Sequence, residues 1–219
     1  MPLTVFGHPF SSYTQKVLVA LYENGTPFEF RCISPDHPGN VAEWLERWPL
    51  RKFPVLLDGG RAVVETSVII EYLQLSHPGP TRFLPGDPLA ALDVRFMDRF
   101  FDLHVMDAAQ CAVDGALTGD PVRARNGLAR SVDKLGRAYA WLETRLGEAG
   151  WACGEAFSLA DCAAAPSLFY ADWVFRIGED FPRVRAYRSR LLARPSFARA
   201  VDEARPFRPL FPLGAPARD

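Results

Sequence analysis

Residues 3–33 read LTVFGHPFSSYTQKVLVALYENGTPFEFRCI, and this stretch decides the fold. Leu3 to Phe6 is a short apolar run with strand character. Gly7-His8-Pro9-Phe10-Ser11-Ser12 is rich in turn formers. Lys16-Val17-Leu18-Val19-Ala20-Leu21 then reads as one buried helical stripe, stopped at Asn24-Gly25 because glycine readily takes the conformation that ends a helix. Phe28 to Ile33 is a second strand. A strand–helix–strand opening predicts a parallel pair joined by a right-handed crossover.

Working outward, the loop Ser34 to Gly39 carries two prolines, and Asn40-Val41-Ala42-Glu43 resembles a capping arrangement for a short helix ending before Pro49. Pro54 to Asp58 reads as a third strand, Gly59-Gly60 as a tight turn, and Arg61 to Val64 as a returning fourth strand. Ser67 to Leu75 reads as a helix with Val68, Ile69, Tyr72 and Leu73 available for packing. Residues 1–76 therefore predict a β-α-β-α-β-β-α domain. Residues 77–88, with prolines at 78, 80, 85 and 88, predict a linker.

After the linker, strand signals stop and residues 89–219 predict an all-helical domain. Leu89, Leu92, Phe96, Phe100 and Leu103 recur at helical spacing, with Met97, Phe101 and His104 on an adjoining face. Val132, Leu135, Tyr139, Leu142 and Leu146 mark a long helix, and Val184, Tyr187, Leu191 and Leu192 another that Pro195 ends. Ser158-Leu159-Ala160-Asp161 is a capping-box variant, with Phe157 placed to staple it. The proline-rich tail from Pro206 predicts irregular structure.

Bulk properties narrow the function. With 25 basic against 26 acidic residues, the net charge is -1, so no large single-sign field argues for nucleic acid or an anionic membrane as partner. The opening MPLTVFGH has no basic leader and runs straight into a strand, and no apolar run approaches bilayer length. Cys32, Cys111, Cys153 and Cys162 form no CxxC pair and no metal-ligand spacing with the four histidines. The expectation is a reduced cytoplasmic protein without a metal.

Three short segments can carry chemistry, and each has a plainer structural reading. Ser11-Ser12-Tyr13-Thr14 opens the first helix, where a hydroxyl is an ordinary N-cap. The same place offers free N–H groups and a partial positive charge that favour an anion and lower a thiol's pKa. Pro54 can simply begin a strand, where it has no ladder bond to give. A cis Phe53–Pro54 bond would instead turn the Phe53 main chain outward to pair with a peptide-like ligand. Thr66 or Ser67 can cap the third helix. Functionally, the orphan N–H groups there suit a carboxylate and Glu65 suits an ammonium, the two ends of a free α-amino acid.

In this order on this pattern, the chain resembles the glutathione transferase family over essentially its whole length. GHPFSSYTQKV (7–17) is similar to the serine-class motif, nearest to phi-like, zeta-like or related bacterial members. WPLRKFPVLLDGG (48–60) resembles the segment ending in a cis proline, and VVETSVIIEYL (63–73) the γ-glutamyl motif, with Thr66 where serine is commoner. AFSLADCAAAP (156–166) and PRVRAYRSRLLARPSF (182–197) resemble structural signatures of the helical domain.

The resemblance implies a thioredoxin-like α/β N-terminal domain, an all-α C-terminal domain and glutathione as co-substrate. It gives Ser11 the role of holding the glutathione thiolate by a hydrogen bond, with Ser12 open as the neighbouring register. It implies that Phe53 pairs through its backbone with the cysteinyl unit, that Pro54 is cis, and that Glu65 and Thr66 grip the γ-glutamyl end. Lys52 falls near the glycine end, with His37 and Asn40 in the loop that closes over it. Phe10, His104 and Tyr170 are candidates for the second substrate. Serine in place of cysteine at position 11 argues against thiol transfer, and Tyr13 breaks the Ser-Ser-Cys pattern of the zeta isomerases. The expected activity is conjugation of glutathione to a hydrophobic electrophile, by a homodimer. The alternatives are a glutathione-dependent isomerase or dehalogenase, and a non-catalytic glutathione-fold binding module.

Overall fold

The computed structural model describes residues 3–147 and 150–219. Met1 and Pro2, which begin the segment read above as leaderless, lie outside the described residues, as do Glu148 and Ala149. The chain opens with β1 (Leu3–Gly7), α1 (Ser12–Glu23), β2 (Phe28–Cys32), α2 (Pro38–Arg47), β3 (Val55–Asp58), β4 (Arg61–Val63) and α3 (Thr66–Ser76). The sheet order is β2-β1-β3-β4, with β1 parallel to β2 and antiparallel to β3, and β3 antiparallel to β4. This is the thioredoxin-like arrangement that the sequence predicts.

Two helix starts differ from the sequence reading. The second helix begins at Pro38, whose fixed φ suits a first helical position, and no side chain caps it. Asn40 lies inside that helix and donates from Nδ2 to the Cys32 carbonyl oxygen at 3.0 Å. The third helix begins at Thr66, so Glu65 occupies the cap position, and neither Thr66 nor Ser67 serves as a capping side chain.

The helical part comprises α4 (Pro88–Phe100), a π-helical turn (Phe101–Met106), α5 (Asp107–Leu117), α6 (Pro121–Arg145), α7 (Leu159–Val174), α8 (Pro182–Leu192) and α9 (Pro195–Ala204). A short 3-10 turn (Arg205–Leu210) precedes the irregular tail. Every residue of α7 from Leu159 to Asp172 is buried, and α7 packs against α1, α4 and the π-helical turn. A mostly apolar helix buried on all sides is the expected central strut of such a bundle. Its start is fixed by the predicted capping box: Asp161 accepts from the Ser158 backbone N–H at 2.8 Å.

The linker is anchored rather than loose. Phe83 and Leu84 are buried, and the Leu159 N–H donates to the Phe83 carbonyl at 2.9 Å. On α4, most of the apolar stripe faces away from the core. Ala91, Val94, Met97 and Phe100 are buried, whereas Leu89, Leu92 and Phe96, and Leu103 in the turn that follows, are exposed. Among the described residues, no helix is long and apolar enough to cross a membrane.

Candidate active site

The site forms where β1 ends and α1 begins. A Cβ on Gly7 would lie 2.7 Å from the Thr14 side chain, so glycine lets the strand end approach the helix start closely. The turn between them is tied to the helix: the His8 N–H donates to Thr14 Oγ1 at 3.3 Å, and the Phe10 N–H to His8 Nδ1 at 3.2 Å. Ser11 is the N-cap, and its Oγ accepts from the Thr14 N–H at 3.2 Å. That bond uses an oxygen lone pair and leaves the hydroxyl proton available to donate.

Two cavities meet at this cap. The larger, about 600 Å³, is polar and is lined by Ser11, Lys52, Phe53, Pro54, Glu65 and Thr66 from the α/β part. Arg99, Asp102, Asp107, Gln110 and Asp114 close it from the helical part. The smaller, about 270 Å³, is apolar and aromatic. It contains Phe10, Ser12, Met106, Val113, Tyr170, Val174 and Phe211. Ser11, Tyr13, Phe53 and Gln110 line both. Ser11 thus stands on the shared wall, whereas Ser12 reaches only the apolar side.

The Phe53–Pro54 peptide bond is cis. The loop before it is held by Trp44, whose Nε1 donates to the Lys52 carbonyl at 2.9 Å and whose ring meets the Phe53 ring edge-on at 5.7 Å. Glu65 has φ 67° and ψ 120°, a backbone conformation that costs a non-glycine residue about 1–3 kcal/mol. It stands directly ahead of α3, whose first N–H groups have no helical partner. Backbone strain of this kind clusters at active sites and ligand clamps.

Beneath the polar cavity lies an ionic cluster joining three elements. Lys16 of α1 is buried, with Nζ 2.6 Å from Asp98 Oδ1 and 2.8 Å from Asp102 Oδ2. Ser67 of α3 donates to Asp98 Oδ2 at 2.7 Å, and Arg99 donates to Ser67 Oγ at 2.8 Å and pairs with Asp102. Burial raises the Asp102 pKa, and Asp98 adds to that, while Lys16 and Arg99 oppose it. The cluster holds the α1 and α3 starts, with Ser11 and Thr66, against the helical part.

Tyr170 donates from its hydroxyl to the Phe10 carbonyl at 2.9 Å and accepts from Gln15 Nε2 at 3.0 Å. Its ring meets Phe10 edge-on at 5.4 Å. Both line the apolar cavity. His104 does not join them. It lines a separate groove of about 500 Å³ beside Phe96, Lys134 and Trp141. His37 and Asn40 line neither cavity; His37 Nδ1 lies 2.9 Å from Ser34 Oγ.

Apart from Tyr170, the residues of the helical part that face the cleft were not found from the sequence. A signal was present: Met106, Ala109, Gln110, Val113 and Leu117 are spaced as one helical face. Arg99, Asp102 and Asp107 had none, because their neighbours come from α1 and α3, far away along the chain.

Comparisons with known proteins bear on the whole chain. Residues 5–81 match the family model described as "Glutathione S-transferase, N-terminal domain", and residues 125–190 match "Glutathione S-transferase, C-terminal domain". Glutathione S-transferase U8 of Arabidopsis thaliana is 31% identical over 164 residues, covering 74% of this chain and 67% of that one. The crystal structure of a glutathione S-transferase from Methylobacterium radiotolerans, in complex with glutathione sulfonate, is 32% identical with a TM-score of 0.76. It covers 92% of this chain and 95% of that one. A poplar glutathione transferase, 20% identical over 94% of this chain and 99% of its own, has the same fold at a TM-score of 0.80.

Proposed function

The chain belongs to the glutathione S-transferase family and is a glutathione transferase, and from that premise we propose that it conjugates the glutathione thiolate to a neutral, hydrophobic electrophile. One observation carries this reading: a serine N-cap on the wall shared by a polar and an apolar cavity. Glutathione bears two carboxylates and an ammonium, and the polar cavity offers groups of both signs. In this reading Lys52 serves the glycine end, the Phe53 backbone and cis Pro54 serve the cysteinyl unit, and Glu65 and Thr66 serve the γ-glutamyl end. Ser11 donates to the sulfur, and the α1 N-terminus adds its partial charge. Phe10 and Tyr170 wall the electrophile.

The isomerase alternative needs a site for a maleyl-type diketo acid, which carries two carboxylates. None of the residues lining the apolar cavity is Lys, Arg or His. Unpaired anions are costly to place there, which favours conjugation of a neutral molecule. Product analysis with glutathione and either an aryl halide or the diketo acid tests this. Turnover of the acid alone would overturn the conjugation reading. Failure to bind glutathione in a calorimetric titration would leave the non-catalytic module.

The rest of the reading follows the same family. Residues 1–76 would bind glutathione, 77–88 join, and 89–219 supply the electrophile's wall. The serine-class, phi- or zeta-like subtype, a cytoplasmic location and a homodimer are part of the proposal. The homodimer has its own support in the exposed stripe Leu89, Leu92 and Phe96 beside the groove at Trp141, a face suited to a second copy. Analytical ultracentrifugation reads that state directly.

A further inference from the structure

Tyr170 walls the apolar cavity with its ring, but its hydroxyl is committed elsewhere. It donates to the Phe10 carbonyl at 2.9 Å and accepts from Gln15 Nε2 at 3.0 Å, so it has no proton left for a substrate. Gln15, one turn beyond Ser11 in α1 and fully buried, gives its second amide proton to the Pro9 carbonyl at 3.0 Å. Its backbone N–H donates to the Ser11 carbonyl at 2.9 Å, and the Ser11 N–H donates to the His8 carbonyl at 2.9 Å. The peptide plane between Phe10 and Ser11 is therefore held at both ends, its N–H by His8 and its C=O by Tyr170. The plane after Ser11 is held by Gln15. What remains free is the Ser11 side-chain torsion, and the Thr14 N–H fixes that by donating to Oγ at 3.2 Å.

Gln15 Oε1 is buried with no partner among the described residues. A buried polar atom left in that state points to a role other than packing. Burial raises the Tyr170 pKa, and the Gln15 bond and the Arg208 charge only partly oppose it. The phenol therefore keeps its proton, and its donation to Phe10 persists wherever a thiol titrates.

We infer that Gln15 and Tyr170 are positioning residues, a buried clamp between α1 and α7 that sets the direction in which Ser11 presents its hydroxyl to the sulfur. The inference rests on the conjugation reading and deepens it, because part of the control over the thiol then comes from the helical part. A hydrogen bond weakens steeply as its angle closes, and a misplacement of about 1 Å near a reacting centre can cost about a hundredfold in rate. Neither residue touches the sulfur, so any effect of the clamp on the thiol passes through Ser11 Oγ. Tyr170 thus joins the two cavities: its ring faces the electrophile and its hydroxyl aims the serine.

The test is a double-mutant cycle on the full chain with glutathione, read by the absorbance of the bound thiolate against pH. Tyr170→Phe keeps the ring against Phe10 and removes only the hydroxyl. Gln15→Met keeps the side-chain length and removes the amide. In each, the pKa of the bound thiol should rise by about 0.5–1 unit, part of the about 1–2 units that the Ser11 donation supplies. Calorimetric affinity for glutathione in acid, where the thiol is protonated in every variant, should stay at the wild-type value. In the Ser11→Ala background, neither substitution should move the titration further. An equal rise with and without Ser11 would overturn the inference, because the clamp would then act on the helix terminus or the fold. An unchanged titration in both single variants, or affinity in acid lost along with the thiolate, would do so as well. A wild-type chain that binds no glutathione would overturn the conjugation reading itself. A Ser11-dependent thiolate that ignores both Tyr170→Phe and Gln15→Met would overturn this inference alone.

Discussion

Ser11→Ala removes one oxygen that has two jobs, and the two can be measured separately. As N-cap it accepts from the Thr14 N–H at 3.2 Å. Losing such a cap costs about 1 kcal/mol, which for a chain of this length lowers Tm by about 2–4 °C. As donor to a bound thiolate it contributes about 1.5–3 kcal/mol, equal to about 1–2 pKa units at about 1.36 kcal/mol per unit. The α1 terminus alone supplies about 0.3–1 kcal/mol, less than one unit. A glutathione thiol brought from about 8.5 to about 6.5 in the wild type should therefore titrate between about 7.5 and 8.5 in the variant. The sign fixes the pH profile. The variant's rate deficit is largest below the wild-type value and closes as rising pH ionises the thiol without help. Ultraviolet absorbance of the enzyme-bound thiolate against pH reads the shift, and thermal melting reads the cap. Ser12→Ala is the companion variant: Ser12 reaches only the apolar cavity, so the thiol titration should stay in place. A Ser11→Ala protein that melts lower but titrates like wild type would refute the catalytic assignment while sparing the cap. A shift in Ser12→Ala instead would move the role to its neighbour.

Other outcomes follow from the groups around the cap. Lys16→Met removes the buried cation between Asp98 and Asp102 and leaves only the half-exposed Arg99 to pair with them, and should destabilise by about 3 kcal/mol, the low end for a broken buried pair. Urea unfolding checks this, and adding Asp98→Asn and Asp102→Asn should recover part of the loss. Glu65→Gly should shift stability and binding in opposite directions. Relief of the φ 67° backbone, less the entropy of an added glycine, nets about 1 kcal/mol of stabilisation. Meanwhile calorimetry should show glutathione affinity falling by about tenfold or more, as for a lost charged hydrogen bond. Away from the site, bonds from His77 and then Tyr72 hold the Asp58 pKa below the usual carboxylate value. A depressed carboxylate pKa stabilises the fold above its unfolded value and stops doing so as pH falls through the folded one. The Tm difference between wild type and His77→Ala should therefore be present near neutrality and close in acid.

The α/β part was legible because its signals are local. Gly25 ends α1 with φ 57°, the Gly59-Gly60 turn folds β3 back on β4, and Ser11 caps the helix it precedes. Pro54 was readable through family resemblance, since no property of the Lys52-Phe53-Pro54 triplet alone selects the cis bond. Glu65 was recognised as a ligand candidate, but its displacement of Thr66 from the cap position was not. Three hydroxyl or carboxylate residues in a row offer a helix several possible starts. The Lys16 cluster was invisible for a different reason. A lysine beside Val17 and Leu18 looks like a solvated edge of a helix until partners arrive from Asp98 and Asp102, more than eighty residues away.

His104 shows how a correct helical signal can still misplace a side chain. Leu89, Phe96, Phe100 and Leu103 set a phase of about 100° per residue, and the phase holds as far as His104, which shares one groove with Phe96, Phe100 and Leu103; most of that stripe is exposed and lies away from the cleft. The chain does continue as a helix, but residues 101–106 close i→i+5 bonds instead of i→i+4. The wider turn admits an extra residue, so everything beyond it rotates by roughly one position relative to α4. Met106, Gln110, Val113 and Leu117, at and beyond the end of this turn, line the cleft, while His104 stays with the α4 stripe in the groove at Trp141. Such turns recur at functional sites because they redirect a helix face without breaking the helix. Here Asp107, the first residue after the turn, meets the Tyr13 hydroxyl and Met106, its last residue, reaches the apolar cavity, so the turn and the start of α5 build the wall where the two substrates would meet.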